Sequence, residues 1–389
     1  MSKFDDMIYR LKEDIEVPDH VWAKYTETLS TLPDKQEKRH SHTFSKTKIW
    51  PVVALVALII GTLSVSAAAY IQWSKGLEER LQATEEQRQT LENNQMSSYV
   101  GQSVTQGDIT VTVQQSIVDN YFAYLSFKVE GYKVEDGVQP GFSDVSFRVN
   151  EDDWGSGGWS EGFYGRQIQG DNGNVIPTDG TPLTGDETIS YIMDDGSMEY
   201  LVVMMSDTKG CFIDKPIHVE LKNLGTYDET TKDIAVDTEG SWCFDWILTG
   251  SNAIEKYELQ ASLENSGTTV LEAEFSPISI SLTYEHPKQE ILEKVIDQNG
   301  EEITHTIYKK PPLFTGVRLK DGTIYTNLTD GWSSWISGYA EENSDIYECT
   351  VSLKQVIDVE QVESLLFIKS YPEDDQPLTE ENLYFVSVK

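Results

Sequence analysis

The densest group of side chains able to do chemistry is NEDDWGSGGWSEGFYG at 150–165. Glu151, Asp152, Asp153 and Glu161 bring carboxylate oxygens, the donors that a hard cation such as Ca²⁺ prefers. GDNGN at 170–174 and DDG at 194–196 add further oxygens. None of these stretches has the spaced ligands of an EF-hand loop, so solvated acidic loops without a metal are expected. Trp154, Trp159, Phe163 and Tyr164 are rings that could form a ligand platform, although packing between loops is the plainer expectation. Trp332 and Trp335 in DGWSSWISGY pose the same choice between stacking on a sugar or peptide and filling a sandwich end. Burial is expected, because large aromatic side chains are mostly buried.

Signals for catalysis are sparse. His218, His286 and His305 are scattered, and no HExxH motif places two of them on one helical face. Carboxylates are too common here for any pair to be diagnostic. The expectation is a protein without enzymatic activity or cofactor. The three cysteines, Cys211, Cys243 and Cys349, make no disulfide framework and no Cys-x-x-Cys zinc half-site, while a Cys211–Cys243 pair in an oxidising compartment stays open.

These groups sit on a chain whose charge is divided unevenly. Residues 1–48 hold nine Lys/Arg and nine Asp/Glu, 49–71 hold none, and everything after residue 71 carries the whole formal charge of −35. Such a surface repels phosphate backbones, which argues against nucleic acid as a partner. It attracts cations or basic partners, or simply keeps the protein soluble.

The uncharged stretch IWPVVALVALIIGTLSVSAAAYI at 49–71 is long enough for a transmembrane helix, at about 1.5 Å of rise per residue against a core of about 30 Å. Trp50 at one end, with Tyr70 and Trp73 at the other, suit interfacial anchors. Lys35, Lys38, Arg39, Lys46 and Lys48 precede the span, which sets the N-terminus in the cytoplasm and the C-terminal bulk outside. A cleaved signal peptide is the competing reading, but the charged leader is too long for one. The expected location is the cell membrane.

The tail, 1–48, carries two short apolar stripes at helical spacing. Phe4, Ile8 and Leu11 lie on the first, and Val21, Trp22, Tyr25 and Leu29 on the second, with Pro18 between them. Two such helices bury little by themselves, so each other, the inner membrane surface or a cytoplasmic partner must cover them. These seven residues are the candidate partner-binding set.

Residues 72–99 read as a juxtamembrane helical stalk, in which Leu77, Leu81, Thr84 and Leu91 make a thin stripe. Beyond residue 100 the period falls to two, as in Ile109, Val111 and Val113. Strands are expected at 144–149, 188–193, 198–206, 217–224, 242–248, 257–263, 269–275, 278–285, 346–353, 364–370 and 383–388. A hairpin is expected around Asp321-Gly322. The fold class is mainly β: two antiparallel Ig-like β-sandwiches, at 100–250 and 251–389, outside one transmembrane helix and a short helical tail.

The segments VPDHVWAKYTETLSTLP, GDITVTVQQSIVDNYFAYLSFKVEG, VRLKDGTIY and VIDVEQVESLLF, with the basic run and single span, resemble a known layout. It is that of the membrane-anchored anti-sigma-factor-like proteins of Firmicutes, often paired with extracytoplasmic-function sigma factors. The second segment resembles the start of the uncharacterised extracellular domain common in that group, and the last two its Ig-like C-terminal portion. The tail has no Cys and so departs from the zinc type of anti-sigma domain. The resemblance implies a regulator that couples an extracellular sensing domain, with an unidentified ligand, to a sigma factor bound by the tail. A surface-anchored β-sandwich binding or scaffolding protein is the alternative.

Overall fold

The computed structural model describes residues 73–150, 157–169, 175–177, 189–252, 254–296, 302–329, 335–341, 343–372 and 378–388. The chain divides into units 1–70 and 71–389, and every described residue is in the second. The tail set (Phe4, Ile8, Leu11, Val21, Trp22, Tyr25, Leu29), the segment 49–71 and the anchors Trp50 and Tyr70 lie outside the described residues. So do Trp154, Trp332, GDNGN at 170–174 and the side chain of Trp335. Among the described residues no helix is long and apolar enough to cross a membrane.

The second unit is mainly β. It opens with an arm of two short helices, α1 (Lys75–Arg80) and α2 (Glu85–Asn93). Ser74 caps α1, and Thr84 caps α2 in a capping box with Gln87. Each cap satisfies amide donors that a helix end otherwise leaves open. The strands β1 (Ser97–Gln106), β2 (Ile109–Val118), β3 (Phe122–Glu130), β4 (Pro140–Val149) and β5 (Gly157–Phe163) follow. After the small ribbon β6–β7 (Gln167–Gln169 and Val175–Pro177) come β8 (Met198–Ser206), β9 (Lys215–Asp228) and β10 (Asp233–Leu248).

β1-β2-β3-β8-β5 form one antiparallel sheet and β10-β9-β4 a second. Their facing sides share one core, in which Phe127, Tyr200, Phe142, Trp242 and Phe244 pack as tilted and edge-on rings. Val111 and Val113 point into it while Thr110 and Thr112 do not, so period-two patterning is realised as inward and outward faces. Gly131 closes β3 at φ +89°, where a Cβ would overlap the carbonyl of Asp108.

A second pair of sheets follows the same plan. β11 (Glu255–Leu263), β12 (Thr268–Phe275), β13 (Ser279–Glu285), β19 (Ile346–Ser352) and β18 (Trp335–Tyr339) form one sheet. The other is β17 (Ile324–Tyr325), β16 (Phe314–Leu319), β20 (Val362–Ile368) and β21 (Leu383–Ser387). Phe275, Tyr284, Val317, Phe367 and Val351 fill the core between them. β14 (Glu290–Ile296) and β15 (Glu302–Tyr308) pair with each other as a separate hairpin. Asp321-Gly322 turns β16 into β17, with Gly322 at φ +92°.

Several elements differ from expectation. Residues 157–163 of the Gly-rich acidic stretch are not loop but β5, because seven consecutive positions find partners on β8. Residues 189–193 are not strand, and β20 begins at Val362 after a single 3₁₀ turn at Val359–Gln361. β1, the first half of β10 and the β14–β15 hairpin are strands with few apolar residues on a consistent face, so long-range pairing outweighs weak local propensity.

The expected stalk is helical over Lys75–Arg80 and Glu85–Asn93, and the arm is packed rather than free-standing. Leu77, Leu81, Leu91 and Met96 are fully buried against Ile117, Phe122, Tyr124, Leu201, Val203 and Met205 on the outer face of the first sheet. Burying each such side chain stabilises by roughly 1.5–3 kcal/mol relative to exposing it. Trp73, expected at a lipid interface, is buried in the same cluster, and its indole N–H donates to Glu92 Oε1 at 2.8 Å. Little of its ring remains for lipid.

Candidate functional site

Where the arm and the two sandwiches meet, the structure buries two carboxylates. Asp119 stands in the β2–β3 turn and is fully buried. Its Oδ1 accepts from the amides of Tyr121 at 2.9 Å and Phe122 at 2.8 Å, which tightens the turn. Its Oδ2 accepts from the hydroxyls of Ser276, in the β12–β13 connection of the other sandwich, and Ser279, at the start of β13, both at 2.5 Å. Burial pushes the Asp119 carboxyl above the usual range, and the four donors pull partly back.

At the rim of this joint Lys209 Nζ pairs with Glu274 at 2.6 Å, and the Tyr121 hydroxyl donates to the same carboxylate at 3.3 Å. Burial, with Glu274 beside it, pushes the Tyr121 hydroxyl up to about 12.

Glu199, on β8, does for the arm what Asp119 does for the sandwiches. Its Oε1 accepts from the Lys75 amide at 2.9 Å, and its Oε2 from the Ser74 hydroxyl at 3.1 Å and from the Gly76 amide. A carboxylate at a helix start is favoured by the exposed amide donors there. Glycine at position 76 lets the arm approach closely, since a Cβ there would sit 2.7 Å from Glu199 Oε2. Gln115 Oε1 accepts from the Ser74 amide at 3.0 Å, and the Tyr164 hydroxyl donates to Glu79. Burial raises the Glu199 carboxyl; the Gly76 and Lys75 amides and Ser74 oppose that.

The arm also touches the second sandwich. The Val356 amide donates to the Leu81 carbonyl at 2.9 Å, and Gln87 Nε2 donates to the Val356 carbonyl at 2.8 Å. Ile278 and Val356 join the apolar cluster under the arm. One cluster therefore includes residues of all three parts.

The residues singled out by type disperse. Phe163 and Tyr164 are buried in different cores, and Trp159 is 47% exposed with its ring edge-on to Phe147. Asp195 of the DDG turn binds the Ser197 hydroxyl and amide and pairs with Lys128, which lowers its carboxyl to about 2. His218 Nδ1 lies 2.9 Å from Asp245 on an open sheet face, while His286 is buried between Thr268 and the Lys309 carbonyl. The three thiols are free, so Cys211 and Cys243 do not pair. Among the described residues no cluster of His, Cys, Asp and Glu could hold a metal ion.

GWSEG at 158–162 matches the letters of the GxSxG nucleophile elbow. That elbow needs a sharp strand-to-helix turn, whereas Ser160 lies in the middle of β5, paired with Val203. The letters alone do not make the elbow.

Comparison with known proteins adds one family. Residues 42–131 match DUF4179, a domain of unknown function. The DUF4179 region thus runs from the basic flank through the apolar segment and the arm to Gly131 at the end of β3, less than half of the chain. Two solved structures align in part. A conserved domain protein from Bacillus anthracis is 12% identical over 76% of this chain and 91% of its own, at a TM-score of 0.36. The C-terminal domain of the Streptococcus agalactiae AgI/II polypeptide BspA is 12% identical over 64% and 88%, at 0.12. No curated protein matches.

Proposed function

We propose that the chain is a single-pass membrane regulatory protein, anti-sigma-factor-like, whose two Ig-like sandwiches sense a condition outside the cell. The tail, through Phe4, Ile8, Leu11, Val21, Trp22, Tyr25 and Leu29, holds a sigma factor in the cytoplasm. The supporting observation is the arm. It begins four residues after the apolar segment and hydrogen-bonds to both sandwiches, through Glu199 on one side and Val356 on the other. A rearrangement between the sandwiches then reaches the chain at the point where it leaves the membrane. DUF4179 spans this same stretch, which fits an apolar segment and arm that work together.

The test is affinity capture of the full chain, in detergent, from cells of its source. Recovery of a sigma factor, lost on combined Trp22→Ala and Leu29→Ala substitution, is expected. Capture without any sigma factor, or undiminished by that pair of changes, overturns the reading in favour of a surface-anchored binding protein.

A further inference from the structure

β14 and β15 pair only with each other, so among the described residues each keeps one open edge. A two-stranded ribbon is marginally stable by itself in water, and further strands steady it. Apolar side chains are open along this one: Leu292 is 75% exposed, and Ile291 and Tyr308 are exposed as well.

Natural sheets blunt open edges with bulges, Pro, Lys or very short strands. β1, β10 and β11 shift register, and β4 starts at Pro140. β18 and β21 have five residues each and β17 two. β14 carries Lys294. β15, EITHTIY, has none of these devices. It keeps unbroken register from Glu302 opposite Ile296 to Tyr308 opposite Glu290, and its Ile and Thr residues suit extended backbone.

The direction of its backbone groups follows from one bond. The Lys309 amide donates to the Gln289 carbonyl at 2.8 Å, so position 309 faces β14. Alternation then turns the N–H and C=O of Thr304, Thr306 and Tyr308 toward the open side. Around His305 the sequence reads the same in both directions, Ile-Thr-His-Thr-Ile. An antiparallel copy of β15 centred on His305 therefore meets its own pattern. Thr304 faces Thr306 of the second copy as a hydrogen-bonded pair, and Ile303 faces Ile307 of the second copy as the non-hydrogen-bonded kind. Thr–Thr and β-branched pairs stabilise such a ladder. β14 has no such match: centred on Glu293, it sets Leu292 against Lys294.

Charge agrees with this occupant. The described limbs of the ribbon, 288–296 and 302–310, hold four lysines and three glutamates, in a chain of formal charge −35. Two copies can meet here without the repulsion that the acidic remainder carries. In the same register Glu302 falls one diagonal step from Lys310 of the second copy, and the two-fold axis repeats that opposite-charge pair. We propose that β15 pairs antiparallel with β15 of a second copy of this chain, centred on His305, which joins two ribbons into one four-stranded sheet. This goes beyond the regulatory reading and does not depend on the tail.

The test uses the full chain in detergent, with Cys211→Ser and Cys243→Ser to remove the unburied thiols. Under mild oxidation His305→Cys should form a disulfide between copies, because Cα atoms facing each other at that centre stand about 4.5 Å apart, within disulfide reach. Ile303→Cys and Ile307→Cys should each link poorly alone and at least tenfold better when the two chains are mixed. Leu292→Cys, on the other strand, should not link. By sedimentation the chain should be a dimer. Thr306→Pro removes an outward N–H from an edge that tolerates proline, and should weaken the dimer at least tenfold while circular dichroism stays unchanged. A chain that stays monomeric at high micromolar concentration overturns the proposal. So does a dimer indifferent to Thr306→Pro, or linking of Leu292→Cys equal to that of His305→Cys. The disulfide comparison stands even if Thr306→Pro fails to fold. No sigma factor is involved, so this test and that of the tail fail separately.

Discussion

The joints at Asp119 and Glu199 solve one problem with different materials. Each buries a carboxylate that takes donors from another part of the chain. At Glu199 two of those donors are backbone amides, and a broad apolar patch lies beneath. At Asp119 the donors that cross between sandwiches are two serine hydroxyls. Backbone donors are fixed by the helix; hydroxyls rotate. The arm is therefore the firmer attachment, and the joint between sandwiches is where movement should begin.

The largest effect that could break this contrast is removal of the apolar patch. Leu81→Ala empties a fully buried position and should cost about 2–5 kcal/mol, measured as a lower urea midpoint of the full chain in detergent. It should also open the arm to protease; an arm that stays resistant would place its hold elsewhere. Next, Glu199→Ala strips acceptors from two amides and one hydroxyl, at about 1–3 kcal/mol. Glu199→Gln keeps an acceptor and should cost less. Ser279→Ala should cost only about 1 kcal/mol, because Ser276 still reaches Asp119, whereas Ser276→Ala also strips the acceptor of the Ile278 and Ser279 amides and should cost more. The pair should be non-additive in a double-mutant cycle. If Ser279→Ala exceeds Glu199→Ala, the order of firmness is reversed.

The smallest expected effect is on pH dependence. Both carboxyls lie above their usual range in the folded state, so folding takes up protons there. Their contribution to stability is least at high pH. It improves as pH falls through the raised values toward the unfolded ones near about 4, opposite to a carboxylate held by a cation. The urea midpoint of Asp119→Asn should therefore gain less than the native chain's between pH 7 and pH 5. An equal gain would mean that Asp119 is not a source of the proton uptake.

What the sequence shows and what it hides divide along the same line of local against distant. Ile109, Val111 and Val113 announce β2, and Asp321-Gly322 announces its hairpin, because pattern and turn chemistry are contained in a few neighbouring residues. β5 hides, because three glycines and a lone charge carry no strand pattern, and only the partner β8 makes them one. Asp119 reads as a turn residue and no more. Its second role needs Ser276 and Ser279, which stand 157 and 160 positions along the chain. The Leu77, Leu81 and Leu91 stripe is visible, but the sheet face that receives it has its own period-two pattern and looks like an ordinary strand.

The cover that α1 and α2 place over Phe122, Tyr124, Leu201, Val203 and Met205 bears on any form of this protein shed from a cell. A cut at or after residue 97 would strip that cover and leave greasy rings and aliphatic chains in water, a fragment prone to clump. A cut before Trp73 would release a body with its lining intact. Shed material that stays dispersed should therefore still carry Trp73 near its new amino terminus.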